Sequence, residues 1–200
     1  MPKSTFMRLS REKQMEIIDK AQNALLANAY DTPIAQLLQH MDMPIGTFYR
    51  YFENKEDLFL HMLSALRDET SEKDGADQED TVLNPRFGDA TLTHFTERHQ
   101  RRNELFHMAP PEVLHKYFFG ENRDRLMNRY RQQLGRLKYQ GVLREDIDTE
   151  LLAYMYATTL YNFEMYCREY GLTEDTTLMW QIKKYFYFSF FKYGILGKEE

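Results

Sequence analysis

Thr32-Pro33-Ile34-Ala35-Gln36-Leu37-Leu38-Gln39-His40, then Met41-Asp42-Met43, then Pro44-Ile45-Gly46-Thr47-Phe48-Tyr49-Arg50-Tyr51-Phe52 and Glu53-Asn54-Lys55-Glu56-Asp57-Leu58-Phe59, is the stretch that decides the fold. Pro is tolerated in the first turn of a helix, where its missing N–H has no partner, so Thr32 as cap and Pro33 in the first turn predict a short helix ending near His40. A turn around Asp42 and Pro44 leads into a second short helix from Ile45 to Phe52. Asn54 caps a third that opens Lys55-Glu56-Asp57 and runs on through Leu58, Met62 and Leu66. Two short helices joined by a tight turn make a helix-turn-helix when apolar residues hold them crosswise and the outer face of the second stays available. Ile34, Leu37, Leu38 and Met41 can pack inward with Phe48 and Phe52. That leaves Ile45, Gly46, Thr47, Tyr49 and Arg50 facing outward.

Those outward residues suit a DNA groove. Gly46 lets the backbone come close, Thr47 and Tyr49 carry hydroxyls for phosphates or base edges, and Arg50 reaches a phosphate or a guanine. Lys55 adds a cation at a helix N-terminus, an end that already favours phosphate. Upstream, Ser10 followed by Glu12 predicts a helix with Met15, Ile18, Ala21, Leu25 and Leu26 at helical spacing. Residues 1–67 carry as many Asp and Glu as Lys and Arg. Binding therefore depends on local placement of Arg50 and Lys55, with Lys3, Arg8 and Arg11 as an arm toward a neighbouring groove or phosphate.

The run from Gly46 to Phe52 followed by Asn54 to Leu58, with the helix order around it, resembles the DNA-binding domain of TetR-family regulators over roughly residues 10 to 66. The resemblance implies that Ile45, Gly46, Thr47, Tyr49 and Arg50 face the major groove or its flanking phosphates, and that Lys55 grips the DNA backbone. Asp42 stands where the family commonly has Gly in the turn, which is tolerable because Asp visits left-handed conformations more readily than most residues. Leu38 stands where a small Ala is usual.

The rest of the chain fits the same class. Its 200 residues are 42% hydrophobic and 28% charged, with 14 Phe and 14 Tyr, which excludes wholesale disorder. A single Cys excludes an internal disulfide framework and makes a reducing, cytoplasmic home the expectation. Tyr185–Leu196 is too short and too interrupted for a membrane span, and no export signal is visible. A net charge of −5 argues against nonspecific coating of nucleic acid. Helical periods dominate and the fold is read as all-α, with a helix-turn-helix DNA-binding domain at 1–67 and a helical ligand-binding and dimerisation domain at 68–200. The acidic stretch Asp68–Val82 is the linker candidate. Helices are expected near 89–106, 111–119, 122–140, 148–170 and 176–196, punctuated by Gly120, Gly141, Gly171 and Gly197.

Apolar residues cover most of the 148–170 helix, leaving Glu150, Ala157, Glu164 and Arg168 on one narrow side, and the last helix is similar. Burial on several sides points to a partner subunit, with Leu151, Tyr154, Met155, Thr158, Ile182, Phe186 and Phe190 as candidates for a homodimer interface. The resemblance implies a small-molecule cavity, for which Phe106, Met108, Phe118, Met127, Tyr130, Tyr161 and Met165 are candidates. Such a lining favours an apolar or aromatic ligand, while for any one of these residues ordinary core is the stronger reading.

No cofactor, metal or catalytic residue is expected. His94 and His99 are badly spaced for a helical ligand pair, His107 and His115 follow without a Cys cluster, and Cys167 reads as a buried thiol. The expectation is a ligand-responsive repressor that binds a palindromic DNA operator as a dimer. The rival classes are an all-helical small-molecule enzyme, which would turn over its ligand, and a structural dimer with neither operator nor ligand.

Overall fold

A computed structural model describes residues 2–73, 97–120, 122–172, 178 and 181–182. These fold into helices joined by turns, with no extended strand among them: α1 Ser4–Met7, α2 Arg11–Asn28, α3 Ile34–His40, α4 Ile45–Tyr51, α5 Lys55–Lys73, α6 Glu97–Met108, α7 Pro111–Phe119, α8 Asn122–Tyr139 and α9 Thr149–Glu169. They divide into two compact units, the first holding α1 to α6 and the start of α7, the second the remainder of α7 with α8 and α9.

In the first unit, the apolar stripes foreseen on α2 to α5 converge. Ile18, Ala21, Leu25, Leu37, Leu38, Met41, Phe48, Phe52, Leu58 and Phe59 are all buried, whereas Ile34 is only half covered. Burying each of the larger side chains contributes about 2 kcal/mol. Leu38, the bulky residue at a customarily small position, sits in this core without being squeezed out to the surface. α6 packs on α2 and α5, and Arg101 Nη1 donates to Asn23 Oδ1 at 3.0 Å.

The helix ends follow local chemistry. Ser10 Oγ accepts from the Lys13 amide at 3.3 Å. Asn54 Oδ1 accepts from the Asp57 amide at 2.8 Å while Asp57 Oδ2 accepts from the Glu53 amide at 3.1 Å, a reciprocal cap on α5. Thr32 departs from expectation: Pro33 takes the N-cap position of α3, and the Thr32 hydroxyl donates backward to Asn28 O at 2.6 Å, closing the end of α2. α5 also runs to Lys73, into the acidic stretch read as a linker from Asp68. Glu, Lys and Asp there are compatible with helix, and composition alone does not stop one. Residues 74–96 lie outside the described part, as do 183–200 and with them most of the expected last helix.

In the second unit α8 lies along α9. Met127, Tyr130, Leu134 and Leu137 pack with Leu143, Leu152, Ala153, Tyr156 and Ala157 in one buried cluster. The narrow polar side of α9 is a solvent face only at its start: Glu150 is exposed, whereas Ala157 and Glu164 are buried and Arg168 Nε donates to Glu164 Oε1 at 2.9 Å.

Candidate nucleic-acid interface

The two helices of the helix-turn-helix are joined by Met41 to Pro44. Asp42 adopts a left-handed φ of 49°, its amide donates to Gln39 O at 3.1 Å, and the Met43 amide donates to Leu38 O at 3.0 Å. This pair of bonds is the Schellman ending, which satisfies two of the carbonyls that α3 leaves open. The turn thus needs one residue at positive φ, and Asp42 supplies it in place of Gly.

α4 leaves the turn with Pro44 at its N-cap and splits its side chains by spacing. Phe48 is fully buried, its ring 5.7 Å from that of Phe52. Ile45 is 55% exposed and Tyr49 45% exposed, and Gly46 and Arg50 lie on the same open surface. A methyl group built on Gly46 would meet nothing within 4 Å, so the close approach foreseen there is geometrically open. Arg50 keeps its guanidinium 5.4 Å from the Tyr51 ring centre. Thr47 is half-buried, less outward than its neighbours. The structure therefore brings Ile45, Gly46, Tyr49 and Arg50 onto one exposed helix face, with Thr47 at its edge.

Lys55 is placed differently. Its ammonium donates to Tyr30 O at 2.5 Å and Thr32 O at 3.1 Å and stands 4.7 Å from the Tyr30 ring centre, tying the start of α5 to the α2–α3 connection. Lys3, expected on a DNA-reaching arm, donates through Nζ to Tyr49 O at 2.8 Å. The segment around α1 was not foreseen as an element, since four residues show no period; Phe6 ahead of the Ser10 cap is the signal that marks it.

Residues 17–62 match the family model described as bacterial regulatory proteins, tetR family. Over this segment the chain is similar to that family. No curated protein sequence matches the chain. Among solved structures it is similar to the fatty acid degradation regulator FadR from Bacillus halodurans, with 19% identity, a TM-score of 0.55, and 88% of this chain and 96% of that one covered. It is also similar to SmeT, the repressor of the Stenotrophomonas maltophilia multidrug efflux pump SmeDEF, at 19% identity and a TM-score of 0.53 over 96% of this chain and 93% of that one. A putative tetR family transcription regulator from Shewanella sp. PV-4 gives 14% identity and a TM-score of 0.50 over 94% and 100%. At such identities these neighbours establish the fold alone.

The remaining candidates divide between the units. Phe106 and Met108, both half-buried on α6, belong to the first. In the second, Met127 and Tyr130 are part of the buried α8–α9 cluster. Phe118 is buried, and the Tyr161 ring lies 6.0 Å from it, 5.3 Å from Phe119 and 5.8 Å from His115. Met165 is half-buried. Of the interface candidates, Leu151, Tyr154 and Met155 are exposed at 56%, 43% and 46%. Thr158 and Ile182 are half-buried; Phe186 and Phe190 lie outside the described residues.

Cys167 is fully buried. Among the described residues no three His, Cys, Asp or Glu side chains stand together in a way that could hold a metal ion. His94 and the side chain of His99 lie outside that description. No helix among the described residues is long and apolar enough to cross a membrane.

Proposed function

We propose that the chain is a cytoplasmic, ligand-responsive repressor that binds a palindromic operator as a homodimer and leaves it when a small apolar or aromatic effector binds. The observation that carries this reading is the exposed α4 face, where Ile45, Gly46, Tyr49 and Arg50 stand outward while Phe48 anchors the helix from behind. Thr47 completes the reading surface, and Lys55 supports it by holding the α2–α3 connection against α5. Residues 1–67 form the DNA-binding domain and 68–200 the effector and dimerisation domain. Leu151, Tyr154, Met155 and Thr158, with Ile182, Phe186 and Phe190, make the interface; Phe106, Met108, Phe118, Met127, Tyr130, Tyr161 and Met165 supply the effector's surroundings.

The effector acts by linkage. A molecule that binds better to a dimer whose reading helices are wrongly spaced weakens DNA binding by the same coupling factor. The packing of α6 on α2 and α5 offers it a mechanical route, because an element outside residues 1–67 then bears on the helices that carry α4.

Selection of bound fragments from random duplex DNA tests the reading. The expected product is two related half-sites about 34–36 Å apart, one helical turn. Arg50→Ala should weaken binding to that duplex by roughly 10- to 100-fold, the worth of a good base or phosphate contact, with the oligomeric state unchanged. Recovery of no preferred sequence, or an Arg50→Ala chain that binds as wild type, would refute the assignment.

A further inference from the structure

α4 has seven residues, and its last three carbonyls, those of Tyr49, Arg50 and Tyr51, have no acceptor role within the helix. All three are met by donors of Lys3 and Thr5, in a segment more than forty residues away. Lys3 Nζ donates to Tyr49 O at 2.8 Å, the Thr5 hydroxyl donates to Arg50 O, and the Lys3 backbone amide donates to Tyr51 O at 2.8 Å. The Lys3 ammonium also places positive charge at the negative end of the helix dipole. No side chain caps the other end of α4, where Pro44 stands at the N-cap. The helix that carries the exposed reading face thus owes its C-terminal cap to the N-terminal segment.

That segment is itself anchored. Phe6 is fully buried with its ring 4.8 Å from Phe52 and 5.1 Å from His61, and Gln14 Nε2 on α2 donates to Leu9 O at 3.0 Å. A continuous set of contacts therefore runs from α2 through α1 to the end of α4. Residues 3–6 lie ahead of the family model's match, which begins at residue 17.

We propose that Lys3 and Thr5 are positioning residues for DNA reading: they cap α4 from outside the helix and fix the orientation of the face that carries Tyr49 and Arg50. This rests on the reading role proposed for α4. A short helix with an open end frays at that end first, because each orphan carbonyl left to water removes part of what holds the last turn. Tyr49 and Arg50 lie in that last turn, so fraying there costs DNA affinity without removing a single DNA contact. Lys3 acts through Tyr49 O and is not itself counted among the groups that meet phosphate.

The test uses the full chain with Thr5→Val, Thr5→Ser and Lys3→Met, all at exposed positions away from the apolar core, and two readouts. In the free protein, amide hydrogen exchange across Tyr49–Phe52 should quicken roughly five- to tenfold in T5V and K3M, the worth of about one hydrogen bond, while T5S, which keeps the donor, matches wild type. Amides in the middle of α2 should be unchanged in all three. On the duplex selected by the wild type, T5V and K3M should each bind about fivefold more weakly, T5S normally, and the slope of log K against log salt should stay at its wild-type value. A K3M slope shallower by about 0.9 would make Lys3 a phosphate contact and overturn the proposal. So would unaltered exchange at the end of α4. If the wild type selects no duplex, the reading of α4 fails before any variant is compared; if it does and only the variants behave as wild type, this inference alone fails.

Discussion

Ala29 closes α2 with φ 76° and ψ 165°, a backbone region that glycine occupies freely and other residues enter at a cost. Ala29→Gly should raise stability by about 1 kcal/mol, read as a higher denaturation midpoint. A lower midpoint would show that the conformation is not strained. Tyr30 beside it has its phenol pushed up to about 12, first by burial and then by the negative charges of Glu56, Asp31 and Glu112. In the unfolded chain a tyrosine ionises near its ordinary value of 10.0. Folding therefore favours the neutral phenol, and this contribution is complete below about pH 10 and is lost as pH rises through 12. Tyr30→Phe keeps the ring, which stands edge-on to Phe59 at 4.9 Å, and removes the titration. Its midpoint should fall less steeply than that of wild type between pH 10 and 12, with no difference in slope below pH 9. Parallel curves throughout would refute the assignment. At this scale the sequence speaks unevenly. Asp42 at positive φ is legible because a short polar side chain in a turn carries its own reason, whereas Ala29 gives no sign, since an alanine after a helical run simply reads as more helix.

Helices whose ends are set by neighbouring residues are the legible ones. The Ser10 and Asn54 caps stand where the spacing placed them, Asp148 caps α9 at the start expected for that helix, and α8 and α9 end at Gly141 and Gly171, both at positive φ with the same bond pattern as Asp42. Ends set by remote groups are not legible. No rule of local spacing connects Lys3 and Thr5 with the carbonyls of α4, or Lys55 with Tyr30 and Thr32, because the chain must fold before those atoms meet. The outward face of α4 was readable all the same, since Phe48 and Phe52 four apart fix which side is inward. Gly46 tests what that face is for. Its open surroundings leave room for a methyl, so Gly46→Ala should stabilise the free protein by roughly 0.5 kcal/mol through helix propensity. On the proposed reading the same methyl stands where DNA comes close, and operator binding should weaken by about tenfold or more, within the range of one lost direct contact. A more stable chain that binds as tightly as before would remove Gly46 from the interface.

For the molecule as a whole, the informative element is α9, which is apolar on two sides. Leu152, Ala153, Tyr156 and Ala157 are buried against α8, while Leu151, Tyr154, Met155 and Tyr166 are exposed. Periodicity could show that too much of the helix is apolar for one neighbour, but it could not say which side meets its own chain, because both sides are built from Leu, Met and Tyr. The structure makes that division. The stripe through Leu151, Met155 and Thr158 continues at helical spacing, and exposed apolar side chains repeated along one helix face are characteristic of an interaction site. Met155→Asp tests whether a second copy covers it. Met155 is 46% exposed within the chain, so the substitution should cost the isolated fold little, and far-ultraviolet circular dichroism should be unchanged. Against a symmetry mate the carboxylate would have to enter an apolar contact without a partner, at a cost of several kcal/mol, enough to leave monomers at micromolar concentration. Sedimentation should then report half the wild-type mass, and operator affinity should drop by more than a hundredfold, since each monomer holds only one half-site. A dimer that survives Met155→Asp with operator binding intact would move the interface off this face of α9.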